Sequence, residues 1–304
     1  MANNNSFIER QIHKSVKEHL ITKQISVITG MRRTGKTTIV KHILEEIISI
    51  NKVYIDLQRA DIRDIFKEKN YDNILVDLSK VFNINFKEKA YIAIDEIQLV
   101  PELPGIIKYL YDNYDIKFIV TGSSSYYMKN LFTESLSGRK KIFELFPLTF
   151  GEFLDFKKVF LKDDIIKNLL FNNLEYDNFK KYYEEYLEYG GFPEVVLEES
   201  SSIKKDLLSD IISSYLSIDV ESLTDFRKKE DFYNIIKVLA ERVGNKIDHL
   251  KISNIVGISR QTLRDYMGFF EDTYLIKRIP VMTRNRDREI VKAKKLYFID
   301  NGLI

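Results

Sequence analysis

Short apolar runs alternate with longer amphipathic stretches over the first half of the chain. The runs are rich in β-branched residues, which is typical of buried strands. They cover residues 25–29, 53–57, 90–96, 116–122 and 141–146. Because helical or loop stretches separate them, the pattern predicts an α/β fold, in which a parallel sheet has helices on both faces.

The strand pattern ends near Pro147, and helical spacing takes its place. Residues 149–226 are rich in Leu, Phe, Tyr, Glu and Lys, with one break at Tyr189-Gly190-Gly191-Phe192-Pro193. We expect an all-helical subdomain that bends at this Gly-Gly-x-Pro corner. The predicted domains are therefore 1–148, 149–226 and 227–304.

The last segment combines short helices with two strands. Helices are predicted over 232–243, 250–256 and 260–272, with Ser259 as the N-cap of the third. The turn at Gly257 between the last two has helix-turn-helix spacing. Strands predicted at 274–276 and 295–299 flank a basic loop, so the segment is predicted to be a winged-helix domain.

Residues 30–37, Gly-Met-Arg-Arg-Thr-Gly-Lys-Thr, match the P-loop pattern G-x-x-x-x-G-K-[ST] in full. They lie between the first predicted strand and a helix predicted over 36–49, so N–H groups at a helix N-terminus would face phosphate. Lys36 is predicted to contact the β- and γ-phosphates, and Thr37 to offer its hydroxyl to Mg²⁺. The predicted ATP contacts are Gly30, Arg32, Arg33, Thr34, Gly35, Lys36, Thr37 and Thr38.

The third predicted strand ends in Asp95 and Glu96, the Walker B arrangement. Asp95 is predicted to hold Mg²⁺ through water or through Thr37, and Glu96 to polarise the attacking water. A small-molecule kinase does not need this second acid, so the pair favours hydrolysis. The next strand ends in Thr121-Gly122-Ser123, where Thr121 or Ser123 could contact the γ-phosphate, unless this is only a Ser/Gly-rich loop.

Composition excludes several kinds of chemistry. The chain has no cysteine, which excludes disulfides, thiol catalysis and Cys-based zinc sites. Its four histidines are scattered without metal-ligand spacing and are expected at the surface. No apolar run approaches the roughly 18 residues of a membrane span, and the N-terminus has no signal pattern. We therefore expect a cytoplasmic protein that does not contact a membrane.

Charge is unevenly distributed along the chain. Residues 227–304 contain 17 Lys and Arg against 10 Asp and Glu, whereas residues 1–226 contain 30 against 35. In the last predicted helix Arg260, Gln261 and Arg264 point away from the apolar face. Such side chains can interact with base edges in a major groove, and the loop 284–288 would add phosphate contacts. Double-stranded DNA is the predicted partner; the alternative is a protein-docking or lid module with solvated basic residues.

Six motifs occur in order along the chain: Gly-Met-Arg-Arg-Thr-Gly-Lys-Thr, Tyr-Ile-Asp-Leu, Ile-Asp-Glu-Ile-Gln, Val-Thr-Gly-Ser-Ser-Ser, Ser-Gly-Arg-Lys and Tyr-Gly-Gly-Phe-Pro-Glu-Val-Val. This ordered set resembles the prokaryotic AAA+-type P-loop ATPases of the archaeal-ATPase/STAND-like branch. In these proteins an ATPase core is followed by a helical lid, a winged helix and a C-terminal domain of unknown function. The resemblance covers nearly the whole chain.

The resemblance implies roles for further residues. Ser123 would be the sensor of the γ-phosphate. Arg139, which directly precedes the fifth predicted strand, would act as an arginine finger on a neighbouring subunit of a homo-oligomer. Pro193 would pack against the adenine. The lid has no clear second sensor arginine, Arg227 being a candidate. Relatives usually continue past the point where this chain ends, at Ile304, so a truncated member or fragment is expected.

Three functions are compatible with these features. The first is an ATP-hydrolysing, DNA-associated AAA+-like enzyme that uses ATP and Mg²⁺. The second is a STAND-like switch that binds ATP tightly, turns over slowly and controls a protein partner. The third is a P-loop kinase, for which ADP production would depend on an added metabolite. We favour the first and keep the switch as the alternative.

Overall fold

The computed structural model describes residues 7–122, 136, 138–159, 173–219, 229–285, 287, 289 and 292–304. By its internal contacts the chain divides into two compact units. One comprises residues 1–30 and 35–145, and the other comprises residues 31–34 and 146–304. The further division of the second unit into a lid and a winged helix remains a prediction.

The first unit alternates helices and strands. Its elements are α1 (Gln11–His19), β1 (Ile25–Thr29), α2 (Lys36–Glu46), β2 (Lys52–Asp56), α3 (Ala60–Ile65), α4 (Tyr71–Phe82), β3 (Ala90–Asp95), α5 (Leu103–Asn113), β4 (Ile116–Gly122) and β5 (Lys140–Glu144). Within the described residues these strands form one five-stranded sheet in the order β2-β3-β4-β1-β5. Every neighbouring pair is parallel. The predicted parallel α/β sheet is confirmed.

Helices cover both faces of this sheet, and the strand residues alternate between them. Val27, Ile92 and Ile94 pack into a core cluster with residues of α3, α4 and α5. Ile28 and Ala93, from the intervening positions, pack into a second cluster with residues of α1 and α2. This alternation follows from the two-residue period of a strand. Burial on both faces explains why the strands are almost continuously apolar.

Helix α2 ends earlier than its apolar pattern predicts. The helix stops at Glu46, and the side chain of Ile48 is 99% exposed. Lys52 donates its ammonium hydrogens to the carbonyl oxygens of Leu44, at 2.8 Å, and Ile47, at 2.6 Å. Because these bonds satisfy carbonyl groups at the helix end, the chain can leave the helix there. The prediction of a helix to residue 49 was wrong by one turn.

The expectation that all four histidines lie at the surface was also wrong. His13 and His19 of α1 are 3% and 5% exposed. His19 is buried against β1, where its Nδ1 lies 2.8 Å from Ser26 Oγ. Burial, and secondly the positive charge of Lys117, lowers the pKa of His19. Imidazole can be buried here because a hydroxyl group satisfies its polar edge.

The described part of the second unit is helical, apart from one pair of strands. Within the described residues its elements are α6 (Phe150–Phe156), α7 (Asn173–Tyr189), α8 (Pro193–Leu197), α9 (Ser201–Ser214), α10 (Lys229–Ala240), α11 (His249–Val256), α12 (Arg260–Asp272), β6 (Ile276–Ile279) and β7 (Lys295–Phe298). β6 and β7 pair antiparallel. None of the described helices has both the length and the apolarity that crossing a membrane requires.

The Gly-Gly-Phe-Pro corner separates α7 from α8, as predicted. Gly190 has a φ of +73°, which side chains rarely adopt, and Pro193 begins α8. A Cβ on Gly191 would lie 2.4 Å from the carbonyl oxygen of Leu148. The corner is held from the C-terminal end by buried Asp300, whose Oδ2 accepts the Gly191 N–H at 2.7 Å.

Candidate nucleotide and magnesium site

The P-loop backbone depends on its two glycines. A Cβ on Gly30 would lie 2.0 Å from the carbonyl oxygen of Leu145, the residue that follows β5. Gly35 adopts a φ of +96° at the N-cap of α2. Both positions therefore require glycine, one for close approach and one for a left-handed backbone. The loop begins where β1 ends and leads into the N-terminus of α2, which is the geometry that binds phosphate.

Lys36 and Thr37 occupy the first turn of α2. The side chain of Lys36 is buried, and its Nζ donates to the carbonyl oxygen of Gly30 at 2.9 Å. The Thr37 hydroxyl donates to Asp95 Oδ2 at 2.6 Å. The structure thus brings together the P-loop threonine and the aspartate at the end of β3, although 58 positions separate them in the sequence.

Asp95 lies at the centre of a group of hydroxyl donors, which we call the strand-end cluster: Thr37, Tyr54, Asp95 and Thr121. Tyr54 donates to Asp95 Oδ2 at 2.6 Å, and Thr121 donates to Asp95 Oδ1. Asp95 is 3% exposed. Charge-assisted hydrogen bonds of this kind fix a carboxylate in one orientation. The cluster stands at the carboxyl ends of three neighbouring strands, where α/β proteins place their ligands.

Tyr54 was missed in the sequence analysis. Burial, and secondly its hydrogen bond to Asp95, raises the pKa of Tyr54 far above its usual range. Its hydroxyl is therefore a neutral donor at every working pH. The parallel register pairs Tyr54 with Ala93 and Asp56 with Asp95, so Tyr54 and Asp95 share one face of the sheet. That register, rather than any motif, identifies Tyr54.

Glu96 follows directly in a strained backbone conformation. Its φ of +57° lies in the left-handed region, which is uncommon outside glycine and is often retained at functional positions. Its N–H donates to Asp95 Oδ1 at 3.2 Å and to Thr121 Oγ1 at 3.3 Å. Its carboxylate accepts a hydrogen bond from the Gln98 side-chain amide. The turn therefore directs the Glu96 side chain separately from that of Asp95.

The tip of the P-loop, residues 31–34, belongs to the second unit by its contacts. Met31 is buried in that unit's core cluster with Phe192 and Val195. Arg33 has a φ of +61° and lies 3.6 Å from Glu194. Of the other predicted ATP contacts, Thr34 is buried, Arg32 is half-buried and Thr38 is exposed.

Several predicted site residues lie apart from this cluster or outside the described residues. Ser123 and Arg227 lie outside them, so their sensor roles stay predictions. Arg139 forms a two-pronged ion pair with Asp112 of its own chain, at 2.9 and 3.1 Å. Its role as an arginine finger would require that pair to open. The adenine contact of Pro193 also stays a prediction.

The predicted DNA-contacting residues form an exposed set on α12, which we call the α12 surface: Arg260, Gln261 and Arg264. Ser259 caps the helix as predicted and accepts the Thr262 N–H at 3.0 Å. Gln261 donates to Asp265 at 2.9 Å. Of the basic loop 284–288, the structure describes residues 284, 285 and 287.

Comparisons with known proteins agree with the fold. The family model described as "AAA domain" matches residues 22–154, and one described as "Domain of unknown function (DUF8612)" matches residues 180–304. The solved structure titled "The walker-type atpase paby2304 of pyrococcus abyssi" is similar, with a TM-score of 0.63 and 14% identity. The match covers 99% of this chain and 95% of that one.

Two curated relatives are similar over most of this chain. The uncharacterized protein MJ1544 of Methanocaldococcus jannaschii is 29% identical over 95% of the chain. An uncharacterized protein of Haemophilus influenzae is 28% identical over 93% of it. The chain spans 63% of the length of the first relative and 68% of the second.

The P-loop, the five-stranded parallel sheet and the match over residues 22–154 agree that this part of the chain is a P-loop domain of the AAA type. The matched segment contains the P-loop, the strand-end cluster and Glu96. The second unit carries the match to a domain of unknown function.

Proposed function

We propose that the chain binds ATP with Mg²⁺ and hydrolyses it to ADP and phosphate. The observation that supports this most directly is the strand-end cluster. It holds Asp95 beside the P-loop residue Thr37, with Glu96 as the next residue. A hydroxyl and a carboxylate oxygen are the ligand types that Mg²⁺ prefers, so the donor set fits that ion.

Each residue has a distinct role in this proposal. Thr37 and Asp95 would hold Mg²⁺, which neutralises phosphate charge when it is bound. The Lys36 ammonium leaves the Gly30 carbonyl oxygen and pairs with the β- and γ-phosphates. Glu96 orients a water molecule and accepts its proton as the water oxygen attacks the γ-phosphorus, while the bond to the ADP oxygen breaks. Tyr54 keeps Asp95 in position.

Steady-state phosphate release by the purified chain tests this function. We expect Mg²⁺-dependent hydrolysis that Glu96→Gln reduces by about 10²–10⁴-fold, because general-base catalysis contributes that much. Glu102→Gln, an exposed change a few residues along the chain, serves as the matched control and should leave the rate unchanged. Normal hydrolysis by the Glu96→Gln protein would overturn the proposed role.

We also propose that the α12 surface binds double-stranded DNA. The support is the exposure of its three polar side chains and the excess of basic residues over residues 227–304. The winged-helix prediction is supported by two helices that are joined at Gly257 and followed by an antiparallel strand pair. If the two activities are coupled, duplex DNA should change the hydrolysis rate of the wild-type protein.

One observation favours the alternative, a STAND-like switch with slow turnover that controls a protein partner. The Glu96 carboxylate accepts a hydrogen bond from the Gln98 side-chain amide, which engages one of its two oxygens. If this contact restrains turnover, Gln98→Leu will raise the hydrolysis rate. If Gln98 instead orients Glu96 for catalysis, the rate will fall, and the enzyme is favoured over the switch.

A further inference from the structure

A second set of potential ligands lies on α1 and α2, apart from the strand-end cluster. His13, His42 and Glu46 each offer one ligand atom, and these atoms all lie within 4.8 Å of one another. The three residues border an open cavity of about 520 Å³. Neither nucleotide binding nor hydrolysis, as proposed above, uses them. His13 lies on α1, whereas His42 and Glu46 lie on α2, so no single sequence motif contains all three.

His13 has the environment of a metal ligand. The residue is 3% exposed, and its Nδ1 lies 3.1 Å from Glu9 Oε1. Its Nε2 is buried without a hydrogen bond, although Glu46 Oε2 lies 3.1 Å away. A carboxylate on one ring nitrogen fixes the tautomer that leaves the other nitrogen free to bind a metal. A cation beside Nε2 and the Glu46 oxygen would satisfy both atoms.

His42 and Glu46 complete the set from one face of α2. They are four positions apart, so their side chains are neighbours on the helix surface. Both are partly shielded, with side chains 30% and 28% exposed. The ring of Phe7 stacks on that of His42, with centroids 3.6 Å apart. An apolar ring over one ligand limits access by water and leaves the cavity side open.

We propose that His13, His42 and Glu46 bind a divalent transition-metal ion of the Zn²⁺ type. Two imidazoles and one carboxylate are a recurrent zinc ligand set, and a water from the cavity would supply the fourth ligand. Imidazole ligands favour zinc and its neighbours over Mg²⁺, which selects oxygen. The site therefore differs in chemistry from the hydroxyl and carboxylate donors around Asp95.

Lys17 competes with a metal for Glu46. Its ammonium lies 2.9 Å from Glu46 Oε1, and this hydrogen bond is the largest cause that lowers the pKa of Glu46. A metal on Oε2 must tolerate that positive charge. Removing the charge should strengthen metal binding, so Lys17→Met is a gain-of-affinity variant. If Glu9, His13, Glu46 and Lys17 are only an ion-pair network, no variant will bind metal.

The test is a Co²⁺ titration of the full chain without a polyhistidine tag and without nucleotide, followed by displacement with Zn²⁺. We expect one Co²⁺ per chain with the visible absorption of four-coordinate cobalt. His42→Ala and Glu46→Gln should each weaken binding at least 10-fold, and Lys17→Met should strengthen it about 3-fold or more. Glu18→Gln, an exposed change on α1, is the matched control, and it should change affinity less than 3-fold.

Two results would overturn the proposal. One is wild-type affinity for Co²⁺ no greater than that of the His42→Ala protein. The other is retention by His42→Ala with loss by Asp95→Asn, which would locate the ion at the strand-end cluster instead. Circular dichroism of each variant establishes that it is folded. Both variants at α2 change partly exposed side chains, so the comparison does not depend on a core substitution.

Discussion

The strand-end cluster and the α12 surface are both sets of polar side chains, but they differ in how they are held. Asp95 is buried and accepts hydrogen bonds from three hydroxyl groups. Arg260 and Arg264 are exposed on a well-capped helix. A preorganised buried set acts on one ligand geometry, whereas an exposed basic set attracts an anionic surface by charge. A single substitution in the strand-end cluster should therefore abolish much of its activity, whereas each substitution on the α12 surface should weaken binding by a smaller step.

The largest expected effect is that of Lys36→Ala. Lys36 is the buried lysine of α2, and its ammonium would pair with the phosphates of ATP. Because the variant lacks this charge-assisted contact, we expect at least about a 100-fold loss of ATP affinity. Equilibrium binding of a fluorescent ATP analogue measures it. Lys80→Ala, which removes an exposed ammonium on α4, should bind like wild type. If the Lys36→Ala and wild-type proteins bound ATP with equal affinity, Lys36 would not be a phosphate contact.

The second effect concerns a buried acid that lies outside the first unit. Burial raises the pKa of Asp300 from 3.8 to about 6, although hydrogen bonds from the N–H groups of Gly191 and Gly302 act in the opposite direction. Because the folded protein binds this proton more tightly, Asp300 stabilises the fold below about pH 4, and the contribution is lost as pH rises to about 6. The difference corresponds to about 3 kcal/mol.

Urea unfolding of the Asp300→Asn protein between pH 4.5 and pH 7 measures this contribution. The wild-type free energy of unfolding should fall with pH more steeply than that of the variant. Asp206→Asn, an exposed change on α9, should keep the wild-type slope. Parallel curves for the Asp300→Asn and wild-type proteins would show that Asp300 has an ordinary pKa.

The α12 surface should show an intermediate, salt-dependent effect. We expect Arg260→Ala combined with Arg264→Ala to weaken duplex DNA binding about 10-fold or more, and to reduce the salt slope by about 2. Fluorescence anisotropy over a salt series measures both. The control is Lys180→Ala with Lys205→Ala, which removes the same charge from exposed positions of α7 and α9. An equal loss in both double variants would indicate only non-specific attraction.

The smallest effect is expected for Tyr54→Phe. The change removes one of three hydroxyl donors to Asp95 and leaves the aromatic ring in place. We expect the hydrolysis rate to fall about 10-fold and to depend less strongly on the Mg²⁺ concentration. Tyr91→Phe on β3 is the control. Should Tyr54→Phe hydrolyse ATP at the wild-type rate, Thr37 and Thr121 would suffice to orient Asp95.

Local patterns and long-range geometry explain what the sequence could and could not predict. The strands and the P-loop were predictable because a buried strand is an apolar run and the P-loop has fixed spacing. Tyr54 was not, because its contact depends on β2 lying beside β3 in one register. His13 and His42 were not either, because two helices must pack before their ligands meet. The early end of α2 depends on Lys52, which lies beyond the helix.

In the proposed mechanism Glu96 activates water on nucleotide held by the P-loop. The most direct test incubates a stoichiometric amount of radiolabelled ATP with excess Glu96→Gln protein and Mg²⁺, then identifies the bound nucleotide after several wild-type turnover times. We expect the variant to retain ATP, whereas the wild-type protein should contain ADP. Bound ADP in the Glu96→Gln protein, formed at the wild-type rate, would contradict this mechanism.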